Sequence, residues 1–598
     1  MNEADRTAAG AGARMGRIAM LRLSGALALV VTAALAATGC GGANGDKSGP
    51  GPSGKRGGEL TILSLGDIDK LDPGASYYQY DYQVIDHPTQ RALYGWKPGE
   101  VTPSPDLAAS MPKTSADGKT VTIKLKPSIK YSPPLQDRTV KSADVKYAIE
   151  RCFLPSVGNG YAPLYYNRIV GVNAFKSGKA TEITGIQTPD DTTLVLKLTQ
   201  PVGVISNAQS LSLPGTAAVP EDYAQAFDRE KLSTYGRHQV FTGPYMIPND
   251  SKGALTGYKA GARLVLVRNP SWDPKTDFRP AYLDKITILA GSTIDVAARR
   301  VLSGKSMING DFATPPVNVL RSALSTRKDQ LAILPAASNL YIALNTTVKP
   351  FDNVDVRRAS AAVMDRNALR LTRGGPTLGT IATHFLPPGL LGFKEAGGTS
   401  ASFDFLKNPK GDLALAQRYM RKAGYPSGRY NGPALRMIGD DQAPGSITGE
   451  SVRNQLGKLG FKFDYRKLSR EVTLDNSCGD PRARIAVCPN GGWLKDFFDP
   501  QSMLDPVFSG DSIYPDGGST NWSLIDDPEL NAALEIAAKE VDPQRRAAAY
   551  ADIDRMVTSK AYVVPWLWDN QINIRSANVG SRVNKFTGSW DLSYTTVK

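Results

Sequence analysis

Strand and helix signals alternate along the whole chain, and this alternation limits the fold more than any single motif does. Thr120-Val121-Thr122-Ile123-Lys124-Leu125-Lys126 switches strictly between polar and apolar, the period of a strand with one buried face. Thr193 to Leu198, Leu264 to Val267 and Ile286 to Leu289 are further strand candidates. Helical periods lie among them. From Ser142 to Cys152, the residues Val145, Ala148, Ile149 and Cys152 fall at i, i+3, i+4 and i+7 and share one face. Ser142 is placed to cap this helix, Asp144 suits its first turn, and Cys152 reads as a small buried hydrophobe. Asp412 to Ala423 is a second helix, closed by Gly424 and Pro426. Asp527-Pro528 and Asp542-Pro543 each set a capping Asp before Pro at the first helical position. No internal repeat appears. Strands mixed with helices over 598 residues point to an α/β protein of more than one domain.

The amino terminus obeys a different rule. Arg6, Arg14, Arg17 and Arg22 accompany Leu23 to Ala37, a 15-residue uncharged run. That is the length of a signal-peptide apolar region and falls short of the roughly 20 residues of a membrane-spanning helix. The run ends Ala37-Thr38-Gly39-Cys40, which resembles a bacterial lipobox, with Ala37 where lipoproteins usually carry Leu. The resemblance implies a signal peptide over 1–39, lipid on Cys40, and anchorage at the outer face of the cytoplasmic membrane. Residues 40–58 are rich in Gly, Pro and Ser and read as a flexible tether with a reach of about 25 Å.

The net charge is +14. The signal peptide carries four Arg, one Glu and one Asp, so its removal leaves +12. Outside the cytoplasm such a surface suits an anionic envelope better than nucleic acid, and no Lys/Arg run is interleaved with aromatics. Four cysteines at 40, 152, 478 and 488 have no zinc-site spacing, and with three histidines they argue against a His/Cys transition-metal site, though this count leaves a carboxylate-bound calcium site open; no cofactor is expected. Gly304-Lys305-Ser306 is not a phosphate-binding loop, because Arg299 stands where that motif needs Gly. No G-x-S-x-G or H-E-x-x-H motif is present. Cys478 and Cys488 enclose nine residues, and an oxidising compartment favours a bridge between them.

A series of segments resembles the family 5 extracellular solute-binding proteins, the peptide- and nickel-type receptors of ABC importers. In order they are Leu71-Asp72-Pro73, Pro105-Asp106-Leu107-Ala108, the strand at 120–126, the helix at 142–151, Thr242-Gly243-Pro244-Tyr245 and Arg268-Asn269-Pro270-Ser271-Trp272. Asn345 with the stretch from Pro350 to Arg366, the helix ending Ala423-Gly424-Tyr425-Pro426, and Gly492-Trp493-Leu494-Lys495-Asp496-Phe497-Phe498-Asp499-Pro500 follow. The resemblance implies a two-lobe periplasmic-binding-protein-like fold (type II, cluster C) with an extra subdomain in the first lobe. The implied course is 59–105 in lobe I, 106–214 as the subdomain, 215–336 in lobe I, 337–560 in lobe II and 561–598 back in lobe I.

It also implies capture rather than catalysis, by a monomer that closes on a peptide or other small solute and presents it to permease subunits driven by a cytoplasmic ATPase. In peptide-binding relatives the acid of the G-W-x-x-D motif pairs with the ligand's α-amino group, and Asp496 holds that position. Trp493 matches the motif's aromatic and either lines the cleft or packs in the core. Tyr77, Tyr78, Tyr80 and Tyr82 crowd the loop after the first strand, where one or two of them, with Tyr77 and Tyr80 foremost, are expected to meet ligand. The family resemblance also accommodates an oligosaccharide, a metal chelate or a small metabolite as ligand. An exported hydrolase is an alternative of another class, and a surface sensor or chaperone that uses the same fold without transport is a further one.

Overall fold

The computed structural model describes residues 55–310 and 314–598, so Cys40, the signal peptide and most of the tether lie outside the described residues. The first sheet opens with β1 (Glu59–Leu63), where Leu60 and Ile62 turn into the core. The chain then leaves to build a separate antiparallel sheet. Its strands are β2 (Lys113–Thr114), β3 (Thr120–Lys124), β4 (Ile186–Asp190) and β5 (Thr193–Lys197), in the order β2-β3-β5-β4. In β3 Val121 and Ile123 are buried while Lys124 faces out, as the alternation dictates. Helix α1 (Ser142–Arg151) packs on this sheet.

The chain returns to the first sheet with β6 (Tyr245–Met246), β7 (Tyr258–Lys259), β8 (Arg263–Arg268), β9 (Lys285–Leu289) and β10 (Met307–Asn309). The order is β10-β1-β9-β8-β6, with β7 also on β8; β1 is parallel to both of its neighbours.

The second sheet is built on β11 (Leu331–Leu344). It adds β12 (Gly379–Thr380), β13 (Leu435–Asp440), β14 (Phe463–Leu468), β15 (Val487–Leu494) and β16 (Val563–Ile574), in the order β12-β16-β11-β15-β13-β14. Helices α2 (Leu413–Lys422), α3 (Gln501–Phe508), α4 (Pro528–Lys539) and α5 (Pro543–Ser559) accompany it. Asp412, Asp527 and Asp542 cap α2, α4 and α5 by accepting from Leu415, Glu529 and Arg545 N–H groups.

Two boundaries differ from the expectation. The residues from 561 onward do not pass directly to the first lobe: β16 pairs with β11 and β12 inside the second sheet, and the bridge to the first sheet comes at Ile308 and Arg575. A start of lobe II at 337 would cut β11, whose residues Leu331 to Pro335 already pair with Asn570 to Ile574 of β16. These two long antiparallel strands are the crossings between the lobes. Their register breaks between Pro335 and Asn339, where Ala337 takes a left-handed φ of 51°.

The expected cap of α1 is also corrected. Ser142 lies inside the helix and its hydroxyl donates to Asp190 O (2.6 Å). Asp144 closes the turn by accepting from Lys141 N–H (2.9 Å) and Tyr131 OH (2.9 Å). Cys152 is buried beside Ala148 and Gly215.

Charged residues of the sequence motifs are held by one another. Arg151, fully buried, makes two 2.7 Å bonds to Asp72 and bonds of 2.8 and 2.6 Å to Asp228, with Tyr235 under its guanidinium. Asp106 is shared by Arg91 (2.7 Å) and Arg279 (2.8 Å). Each network joins segments far apart in sequence, and in each the burial of charge is offset by paired hydrogen bonds.

Candidate functional site

Strand β15 delivers Trp493 and then ends, and the next residues form a loop fixed at both sides. Before it, Cys478 and Cys488 are bonded, Cα atoms 6.2 Å apart, which ties the 478–488 loop to β15. After it, Asp499 Oδ1 accepts from Gln501 N–H (2.9 Å) at the start of α3, and both its oxygens take 2.7 Å bonds from Arg546 of α5. Asp499 therefore sets up the helix. Trp493 is half-buried; its indole N–H donates to Ser502 O (2.7 Å) and its ring packs against the main core.

Between these anchors sits Asp496, 5% exposed. Its Oδ2 accepts a short hydrogen bond from Tyr165 OH. Tyr165 ends the short helix Ala162–Tyr165, between strands of the small antiparallel sheet, so this contact joins segments 331 residues apart. Burial raises the Asp496 carboxyl to about 7, with the Tyr165 bond and neighbouring Lys495 pulling it back down. Among the described residues no Lys or Arg forms an ion pair with it.

Aromatic rings close around this acid. Tyr165 meets Phe497 edge-on at 4.8 Å, Tyr161 stacks on Tyr77 at 4.8 Å, and Tyr161 OH donates to Tyr77 O (2.6 Å). Burial pushes the Tyr77 phenol well up, and the Asp496 charge adds to that. Tyr80 is placed differently: it stacks on the exposed Tyr78 at 5.6 Å. Tyr82 is buried against Phe586. The tyrosine-rich segment is not a loop, because it becomes helical at Gln79–Asp81 and continues through a π-helical turn, Tyr82–Asp86, to His87–Thr89. Tyr77 and Asp496 are thus brought together, while Trp493 and Tyr80 hold other contacts.

Sequence reasoning missed Tyr161, Tyr165, Gln79 and Lys495. The two tyrosines stand at i and i+4 around the short helix Ala162–Tyr165, a spacing that places them on one side. Gln79 donates through Nε2 to Lys495 O, a second contact between the Asp496 loop and a distant segment. Around the site the subdomain and the α3 to α5 helices share one apolar cluster that includes Tyr165, Ile205, Leu504, Leu530 and Leu534. At its rim Arg168 pairs with Glu535 (2.8 Å) and Asn207 donates to Val541 O (3.1 Å). The segment that holds Tyr161 and Tyr165 therefore covers the Asp496 loop and keeps the acid buried. Among the described residues no group of three His, Cys, Asp or Glu side chains is arranged to hold a metal, and no helix is long and apolar enough to cross a membrane.

Comparison with known proteins gives this arrangement a context. The chain is 23% identical over 562 residues to the dipeptide-binding protein DppE of Bacillus subtilis, covering 92% of this chain and 94% of that one. It is 24% identical over 515 residues to heme-binding protein A of Haemophilus influenzae, covering 83% and 82%. Among solved structures, the clavulanic acid biosynthesis oligopeptide binding protein 2 superposes with a TM-score of 0.80 at 25% identity, covering 92% of this chain and 96% of that one. The fold is the two-lobe α/β fold of these binding proteins. The model for the bacterial extracellular solute-binding proteins, family 5 middle, matches residues 102–515. The chain belongs to family 5 of the bacterial extracellular solute-binding proteins.

Proposed function

We propose that the protein is the substrate-capturing component of an ABC importer, taking up peptides between its lobes and handing them to a membrane permease. The observation that carries this reading is Asp496, a buried carboxylate at the junction of the lobes with a phenol as its donor and no cationic partner across the cleft. A peptide α-ammonium supplies the missing charge, and a charge-assisted bond in a desolvated site is strong. Tyr77, Tyr161 and Tyr165 surround that point with ring faces and hydroxyls, which grip a backbone without selecting one side chain. Tyr80 and Trp493 belong to the outer wall in this reading. Cys40 carries lipid and holds a monomer at the outer face of the membrane, with the tether giving it reach. The function is capture without turnover. The names of DppE and the oligopeptide-binding neighbour support a peptide ligand. The heme-binding relative favours a second reading, the same receptor for a non-peptide solute.

The test is a thermal-shift titration of the mature protein with peptide pools, one with free amino termini and one acetylated. Free peptides raise Tm and acetylated ones do not, by linkage of binding to stability. Equal shifts from both pools would remove the ammonium from the mechanism. A shift with heme or glycans alone would establish the second reading.

A further inference from the structure

Lys495 precedes the acid in the loop, and every polar group it owns is used. Its side chain is 0% exposed. Nζ donates to Phe586 O (3.0 Å) and Ala336 O (3.4 Å) and sits 4.7 Å above the Phe498 ring. Its N–H donates to Ala337 O (3.2 Å), and its carbonyl accepts from Gln79. Ala336 and Ala337 form the break in β11 where the chain crosses between lobes. Phe586 follows β16 and stacks on Trp96 (4.8 Å) and Tyr82 (6.1 Å) of the first lobe. One residue therefore joins the Asp496 loop to the crossing point, to the first-lobe helical segment and to the carboxyl-terminal segment.

We propose that Lys495 is a positioning residue for ligand capture: its ammonium, bonded to Ala336 O and Phe586 O, pins the Asp496 loop to the crossing and to the first lobe in the closed form. The inference rests on the reading of Asp496 as the ligand-binding acid and adds to it a link between that acid and closure. An ammonium has three donors and no acceptor, which suits two carbonyls and a ring face. A neutral amine loses the charge-assisted part of these bonds.

Burial brings Lys495 down to about 7, and the Asp496 charge opposes this. Asp496 is itself raised to about 7. The two groups are therefore linked: an ionised Asp496 supports the Lys495 charge, and a charged Lys495 supports the ionised acid. Other ionisable groups lie on the packed elements. On the Gln79 segment Asp81 is raised to about 9 and Asp86 to about 8, while His87, 6.3 Å from the Phe586 ring, is lowered to about 4 and stays neutral.

The test uses the mature chain without ligand. Small-angle scattering, with hydrogen exchange at residues 331–344 and 584–590, is followed from about pH 6 to 9, a range that spans the loss of the Lys495 proton. The wild type is compact at low pH and expands, with faster exchange at both segments, as pH rises through the Lys495 midpoint. Lys495→Met is expanded throughout and flat with pH. Lys495→Arg, which does not deprotonate, stays compact where the wild type has opened. Asp496→Asn moves the midpoint to lower pH, since it removes the charge that supports the ammonium. Asp81→Asn and Asp86→Asn leave the profile in place.

A second arm measures trialanine affinity. Lys495→Met weakens it about tenfold at low pH, and the two proteins converge at high pH. A wild-type profile in Lys495→Met, or Arg and wild-type curves that coincide, would overturn the proposal. If trialanine binds neither protein, the peptide reading is at fault, and the scattering and exchange arms still decide the role of Lys495.

Discussion

Asp496→Asn should make the unliganded protein more stable at neutral pH while weakening its grip on amines. The folded carboxyl is raised from 3.8 to about 7 by burial. Since the folded pKa lies above the unfolded one, ionisation costs stability, and the cost grows as pH rises from about 4 to 7 and is complete above 7. Three units at about 1.4 kcal/mol each set a ceiling of about 4 kcal/mol. Asparagine does not ionise, so it escapes this cost, and its carbonyl still accepts from Tyr165. Its amide adds a buried donor that costs about 1–3 kcal/mol if unpaired, but that cost is the same at every pH. The loss of a negative neighbour for Lys495 returns part of the gain. The mutant-minus-wild-type difference in unfolding free energy should therefore rise by about 2–3 kcal/mol between roughly pH 4 and 7.5. Urea denaturation followed by tryptophan fluorescence at several pH values measures it, after bound solute has been removed by unfolding and refolding. A difference that is flat with pH would refute the idea that burial holds the acid up. The same variant should bind free-amino peptides more than tenfold more weakly, about 1.4 kcal/mol or more.

Tyr165→Phe removes a donor that lowers the Asp496 pKa, so less of the acid is ionised at neutral pH. Peptide affinity should fall about fivefold below wild type near pH 7, and the gap to wild type should narrow near pH 9, measured by calorimetry. Arg151→Met leaves Asp72 and Asp228 buried without their partner and should cost about 3–5 kcal/mol in urea denaturation. A cost under 1 kcal/mol would mean that the network is looser than its 2.6–2.8 Å bonds indicate. Cys478→Ser with Cys488→Ser opens a short closed loop and should cost about 2–3 kcal/mol, an effect that reductant reproduces in the wild type.

Local physics made much of the fold legible. The alternation at 120–126 became β3, the 3.6-residue period at 142–152 became α1, and Asp527 and Asp542 capped the helices assigned to them. Pairing at long range was not legible in the same way. The resemblance puts residues 561–598 in lobe I, and nothing local says that Val563 to Ile574 sits beside residues 331–344 rather than in the first sheet. The site divides along the same line. Asp496 was visible through its motif, whereas Tyr165, which donates to it from 331 residues away, is an ordinary tyrosine until the lobes meet. Ser142 shows the limit at short range too: the helix begins one residue earlier than a Ser142 cap requires, Asp144 reaches back to Lys141 N–H, and the Ser142 hydroxyl donates to Asp190 O instead.

The position of β16 has a consequence for how the molecule comes into being. This strand lies between β12 and β11 in the second sheet, yet it is encoded at residues 563–574 of 598. The partner residues on β11 wait more than two hundred positions for it, with one edge of β11 unpaired until residues 563–574 arrive. Such a separation makes for slow assembly and an exposed strand edge in the interim. It also makes completion of that sheet a report on the strands before it: the second sheet closes only on a chain synthesised past residue 574, and a product ending before 563 lacks the strand that both finishes that sheet and leads back to the first.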